Sequence, residues 1–163
     1  MIFIYKHNIY MNTRVKLTSV PTVFLDDATL EQEDVDFTIF KREVEKMTNG
    51  RVEVIKMEDG NRFDVLTRSP QNGTQKIELK MRDKDMHCYN EWYINAGKYD
   101  ALKDVGGYFA FIFNDGWCWH RAGSEENEFE KKWIKVKNPN QGECLELNYL
   151  IPDSVLNYYP FSA

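Results

Sequence analysis

Residues Arg62–Arg82, RFDVLTRSPQNGTQKIELKMR, constrain this chain more than any other stretch. Two apolar-alternating segments flank a Ser69–Gly73 turn, the pattern of an antiparallel hairpin. Successive strand side chains leave opposite faces, so Ile77, Leu79 and Met81 share one face, and Glu78 and Lys80 the other. The turn decides which residues meet. A two-residue Asn72-Gly73 turn would place Asp64 opposite Met81, but Pro70 cannot donate to the ladder that this requires. A loop over Ser69–Gly73 pairs Arg68 with Thr74, Val65 with Ile77, Asp64 with Glu78 and Phe63 with Leu79. That register keeps the apolar residues together and gathers Asp64, Glu78 and Lys80 on the opposite face.

The flanking segments supply layers for such a sheet. Phe37, Phe40, Val44 and Met47 recur at helical spacing, predicting a helix over about Asp36–Met47, capped by Asp34 or Asp36 and ended by Asn49-Gly50. Glu43 lies on the flank of that stripe. The acidic run 26–36 reads as a solvated loop or helix start. Arg51–Glu58 is a strand, and the Asp59-Gly60-Asn61 turn would set Ile55 beside Val65 and Met57 beside Phe63 in a three-stranded meander. Tyr89–Leu102 reads as a helix with Trp92, Tyr93, Ala96 and Tyr99 on its apolar side. Tyr108–Phe113 is apolar throughout, as a strand buried on both faces would be. Asn114-Asp115-Gly116 turns the chain into Trp117–Ala122, and the acidic 123–130 segment follows as a loop or short helix. Trp133–Val136 and Cys144–Leu150 extend the sheet, and Ile151–Ala163 reads as a tail. Near the start, Val15–Val23 is a strand or an extended lead-in. The expectation is one α/β domain over 1–163 with its core at about 36–122 and an antiparallel C-terminal extension.

At 163 residues, with 42% hydrophobic and 14% aromatic residues, the chain can bury a sizeable core. A net charge of −5 does not suggest a nucleic-acid coat, although it says little about a local groove. Cys88, Cys118 and Cys144 are too scattered for a disulfide framework or a CxxC metal site, which suits a reducing, cytoplasmic setting. No stretch has the length of a membrane span, and the first residues lack a secretory signal pattern; Met11 is an alternative start.

Two carboxylates facing each other repel unless a cation lies between them. Mg²⁺ takes oxygen ligands, and Asp64, Glu78 and the Leu79 carbonyl are three such donors. An ion there would clamp a phosphate oxygen and acidify water, with the Lys80 amine beside the developing negative charge. The same three residues also fit a solvent-facing cross-strand ion pair with no ligand. Arg62, Arg68, Lys76, Arg82 and Lys84 surround the acidic cluster, either as phosphate contacts or as charges that protect sheet edges. Trp117 and Trp119 read as core residues rather than a base-stacking platform, and His120 as a surface or hydrogen-bonded structural group.

The arrangement resembles the PD-(D/E)xK nuclease superfamily, the restriction-endonuclease-like fold, over about Asp36–Phe113. That family runs helix, three-strand meander, helix, strand, with an acid on the second core strand and a (D/E)xK on the third. The resemblance places these on Asp64, Glu78 and Lys80; Phe63 stands where a proline usually precedes the first acid. It implies a nuclease that binds Mg²⁺, with Mn²⁺ as a substitute, through Asp64, Glu78 and Leu79. Lys80 would be the catalytic amine and Glu43 a further helical carboxylate. DNA is the implied partner, RNA remains open, and a homodimer is compatible with the chain's size. Lys98 or Asn90 would line the nucleic acid from the following helix. The rival expectations are a non-catalytic nucleic-acid-binding module on the same fold and a protein-interaction domain.

Overall fold

The computed structural model describes residues 14–16, 27–58, 63–138 and 142–161, with side chains from residue 34 onward except 137 and 138. In chain order the elements are β1 (Arg14–Lys16), α1 (Asp27–Met47), β2 (Glu53–Lys56), β3 (Val65–Ser69), β4 (Gly73–Met81), β5 (Glu91–Asn95), α2 (Ala96–Asp104), β6 (Tyr108–Ile112), β7 (Gly116–Arg121), β8 (Lys131–Asn138), β9 (Gly142–Pro152), a 3₁₀ turn (Asp153–Val155) and β10 (Asn157–Pro160). A six-stranded mixed sheet runs β10-β7-β6-β4-β3-β2. Only β4 and β6 are parallel within it. The expected order of helix, meander, helix and strand is present as α1, β2–β3–β4, α2 and β6, with β5 placed before α2.

The hairpin forms in the expected register. Val65 pairs with Ile77, Arg68 with Thr74, and Ser69 with Gly73 across a Pro70–Asn72 turn. Gly73 closes it at φ +64°, a conformation that favours glycine, and the Asn72 amide donates to Ser69 Oγ at 3.1 Å. The ladder ends at Val65–Ile77, so neither the expected Asp64–Glu78 pair nor the Phe63–Leu79 pair is made. Phe63 packs instead with the aromatic core on the other face, under Lys76 Nζ at 5.2 Å from its ring centroid. The neighbouring register also differs: Ile55 lies opposite Leu66, and Val54 opposite Thr67. This shift turns Val54 inward at 2% exposure, where α1 covers it, and leaves Ile55 half-buried.

Both faces of the mixed sheet are covered. Phe40 and Val44 of α1 pack on Val54, Val65, Ile77, Ala110, Ile112 and Trp117. On the other face, Phe109, Phe111 and Phe113 meet Tyr99 and Leu102 of α2 together with Trp92, Tyr149 and Ile151. Burying a single aromatic of this kind contributes about 1.5–3 kcal/mol. Helix α1 begins at Asp27, so Asp34 and Asp36 lie inside it rather than capping it. Asp34 instead pairs with Lys56, and Met47 stays 47% exposed at the helix end.

The predicted helix over Tyr89–Leu102 is corrected to a strand followed by a shorter helix. Glu91–Asn95 alternates exposed and buried, so Trp92 and Ile94 enter the core while Tyr93 faces out. The C-terminal strands build a second sheet rather than lengthening the first. β9 carries β8 on one edge and β1 and β5 along the other. The supposed tail is ordered too, since β10 pairs with β7 and Asp153 accepts hydrogen bonds from Trp92 Nε1 at 3.0 Å and from the Tyr158 hydroxyl. Of the Val15–Val23 segment only β1 is described; Arg62 also lies outside the described residues. Among the described residues, no helix is long and apolar enough to cross a membrane.

The fit of β10 against β7 makes a test. A Cβ on Gly116 would lie 2.5 Å from the Tyr159 carbonyl oxygen and 2.5 Å from Met86 Sδ. Gly116→Ala is expected to cost about 1–3 kcal/mol of stability by overpacking, read as a lower urea midpoint with an unchanged m-value.

Candidate metal centre

Where the β3–β4 ladder stops, Asp64 takes over from the backbone. Its carbonyl accepts from the Met57 amide at 3.0 Å, and its carboxylate Oδ2 accepts from the Leu79 amide at 3.0 Å. A strand residue sends its N–H and C=O to the same edge. The Leu79 carbonyl therefore opens on the side where Asp64 sits. One pleat away, Glu78 lies opposite Phe109 in the parallel ladder and faces α2.

Glu78 is the most buried charged side chain among the described residues, with its residue 1% exposed. A carboxylate in such a layer needs partners. Lys80 Nζ lies 3.1 Å from Glu78 Oε1, and Lys98 Nζ reaches the same oxygen at 2.5 Å. Lys98 comes from the first turn of α2, whose start is fixed by Asn95: its side chain accepts from the Lys98 amide at 3.1 Å. Asp64, Glu78, Lys80 and Lys98 thus form a group of two acids and two amines with no net charge.

Asp64 retains solvent access, yet enough protein surrounds it that burial raises its carboxyl above the usual range. Repulsion from Glu78 raises it further, against the Leu79 amide and the two lysines. For Lys98, burial alone would lower the ammonium, but Glu78, with Lys80 and Asp64 adding to it, holds it above its ordinary value. The mutual repulsion of Asp64 and Glu78 is what a hard divalent cation relieves. Two carboxylates and a backbone carbonyl are donors of the kind Mg²⁺ and Mn²⁺ take, with water completing the shell. These residues fit the ion.

Other expected site residues lie elsewhere. Helix α1 packs on the opposite face of the sheet, and Glu43, 8% exposed, pairs with Arg42 at 3.1 Å. Among the described residues, no three His, Cys, Asp or Glu side chains gather as a metal-binding group, so Glu43 does not join Asp64 and Glu78. Arg68 pairs with Glu53 at 3.8 Å on the outer strands. Arg82 turns inward, donating to the Tyr93 carbonyl at 2.6 Å, with its guanidinium 4.6 Å from the Phe111 ring centroid. Burial holds that guanidinium below its ordinary pKa. Lys84 and Asn90 are exposed on the segment between β4 and β5. Trp117 is core, and His120 is a buried structural group held 3.0 Å from Glu125 Oε2, whose other oxygen accepts from the Tyr99 hydroxyl. The pairing of Lys98 with Glu78 had a sequence signal that the long-helix reading hid. Asn95 is a good cap, and it follows an alternating Glu-Trp-Tyr-Ile strand.

No protein-family model matches the chain, and no curated protein does. A solved structure similar to it is Hjc, a Holliday junction resolvase from Archaeoglobus fulgidus, at 15% identity and a TM-score of 0.41, covering 70% of this chain and 88% of that one. The likeness is one of fold alone.

The raised Asp64 pKa carries a definite sign. A folded-state carboxyl that binds its proton more tightly than the unfolded one costs stability when ionised. Asp64→Asn keeps an acceptor for the Leu79 amide without the charge. In chelator it is expected to melt above wild type at neutral pH. The difference should disappear as pH falls through the Asp64 pKa toward the unfolded value of 3.8, followed by thermal melts across pH.

Proposed function

We propose that this protein is a metal-dependent nuclease that hydrolyses phosphodiester bonds, with DNA as substrate. The observation that carries the reading is the convergence of Asp64, Glu78 and Lys80 on one face at the point where β3 and β4 part. Asp64, Glu78 and the Leu79 carbonyl would hold Mg²⁺ or Mn²⁺. When bound, such an ion polarises a phosphate oxygen and acidifies water. Lys80 is the residue of this chain suited to act on the reacting phosphate. Its ammonium is anchored by Glu78 at 3.1 Å, and its side chain is 35% exposed, enough to meet a ligand. From there it can stabilise negative charge as it develops on the phosphate oxygens or orient the attacking water. The Asp64 carboxylate, tied to the Leu79 amide, keeps its place without a substrate.

A second reading rests on the burial of Glu78 under two ammoniums. Such a group can be a self-neutralised structural cluster on a nucleic-acid-binding or protein-interaction module. Cleavage assays separate the two. Wild type should cut labelled DNA only with Mg²⁺ or Mn²⁺, tested on duplex, branched and single-stranded forms with RNA in parallel. Asp64→Asn, Glu78→Gln and Lys80→Met should each lose at least about a hundredfold in rate, while Asp64→Asn keeps DNA affinity. Cutting that survives all three substitutions in folded protein would remove the nuclease assignment.

A further inference from the structure

Lys98 occupies a position that helix electrostatics disfavour. It is the third residue of α2, close to the positive end of the helix dipole, in a first turn that contains no acidic residue. An ordinary helix start would place an acid or a neutral polar residue there. The Lys98 ammonium stays because it has Glu78 Oε1 at 2.5 Å, a closer contact than Lys80 makes with the same oxygen. The Glu78 side chain is 2% exposed, whereas those of Lys98 and Lys80 are 46% and 35% exposed. Both amines therefore stand between the carboxylate and solvent. Lys80 alone would neutralise Glu78; the second amine balances Asp64, so the cluster carries no net charge without any ion.

Building on the metal-ion reading above, we propose that Lys98 is a built-in counter-ion that competes with the divalent cation for Glu78. In the absence of the ion its ammonium holds the carboxylate oxygen that a cation would take. A cation enters the Asp64–Glu78 slot as that ammonium swings outward. Lys98 is the amine placed to move: its side chain is the more exposed of the two, 46% against 35%, and its backbone is fixed independently by Asn95. It is a positioning residue, and it sets the affinity of the site for the ion without touching the reacting atoms.

The test is Mn²⁺ binding by titration calorimetry in the absence of nucleic acid, on wild type, Lys98→Met, Lys98→Gln, Lys98→Arg and Asp64→Asn. Lys98→Gln keeps a donor for Glu78 without the charge, so it carries the comparison if Lys98→Met does not fold. Removing one positive charge beside the site should tighten Mn²⁺ binding roughly tenfold or more. Lys98→Arg should bind like wild type, and Asp64→Asn should lose binding. In chelator, Lys98→Met and Lys98→Gln should melt below wild type, and Mn²⁺ should raise their melting temperatures more than it raises that of wild type. Equal or weaker binding in both uncharged variants, with wild-type binding still lost in Asp64→Asn, overturns the counter-ion and leaves the ion site standing. If neither wild type nor the uncharged variants bind Mn²⁺, the ion site fails and the counter-ion fails with it.

Discussion

The central constraint is that the β4–β6 pair is buried on both faces. α1 closes one side, while α2 and the second sheet close the other. A side chain on β4 that points toward α2 enters an aromatic layer rather than water. Glu78 points that way, beside Phe109. An isolated carboxylate there would be far too costly, so the fold must supply cations. Lys80 comes from the same strand and Lys98 from the helix above it. The position and capping of α2 are thus tied to one buried charge.

The cluster is balanced but not relaxed. Removing one partner of a buried ion pair generally costs several kcal/mol, because the remaining charge stays behind. Here the loss is softened, since both ammoniums keep contact with solvent. Asp64 lies at the margin of the same layer and is raised by it. An arrangement that is neutral overall, yet holds two acids close enough to repel, stores electrostatic strain that the proposed divalent ion would relieve. The early end of the β3–β4 ladder matters equally. It turns the Leu79 amide from a ladder partner into a donor to the Asp64 carboxylate, and it frees Phe63 to cross to the aromatic side.

The hairpin register was legible because alternation and turn chemistry agreed. Pro70 ruled out the tight turn, and Gly73 took a left-handed conformation that favours glycine over other residues. Residues Trp92, Ala96 and Tyr99 misled because their spacing fits a helix, while Trp92 and Ile94 also satisfy strand alternation. Pairing with β9 decided between the two, and a neighbouring strand of a different sheet cannot be read from local periodicity. The tail was underestimated for a similar reason. Tyr158 and Asp153 are unremarkable in sequence until the fold brings Trp92 and His87 to Asp153.

By itself the sequence determined which residues share a face within the hairpin, because side-chain direction along a strand follows from local geometry. It thereby placed Glu78 and Lys80 together; Asp64 joins them through the Leu79 amide, beyond the last ladder pair. Tertiary structure alone decided that Glu78 would be buried, that Glu43 would lie across the sheet from it, and that Lys98 would cover it. Burial and long-range charge pairing depend on what packs above a strand. That is set by the path of the whole chain rather than by any local pattern.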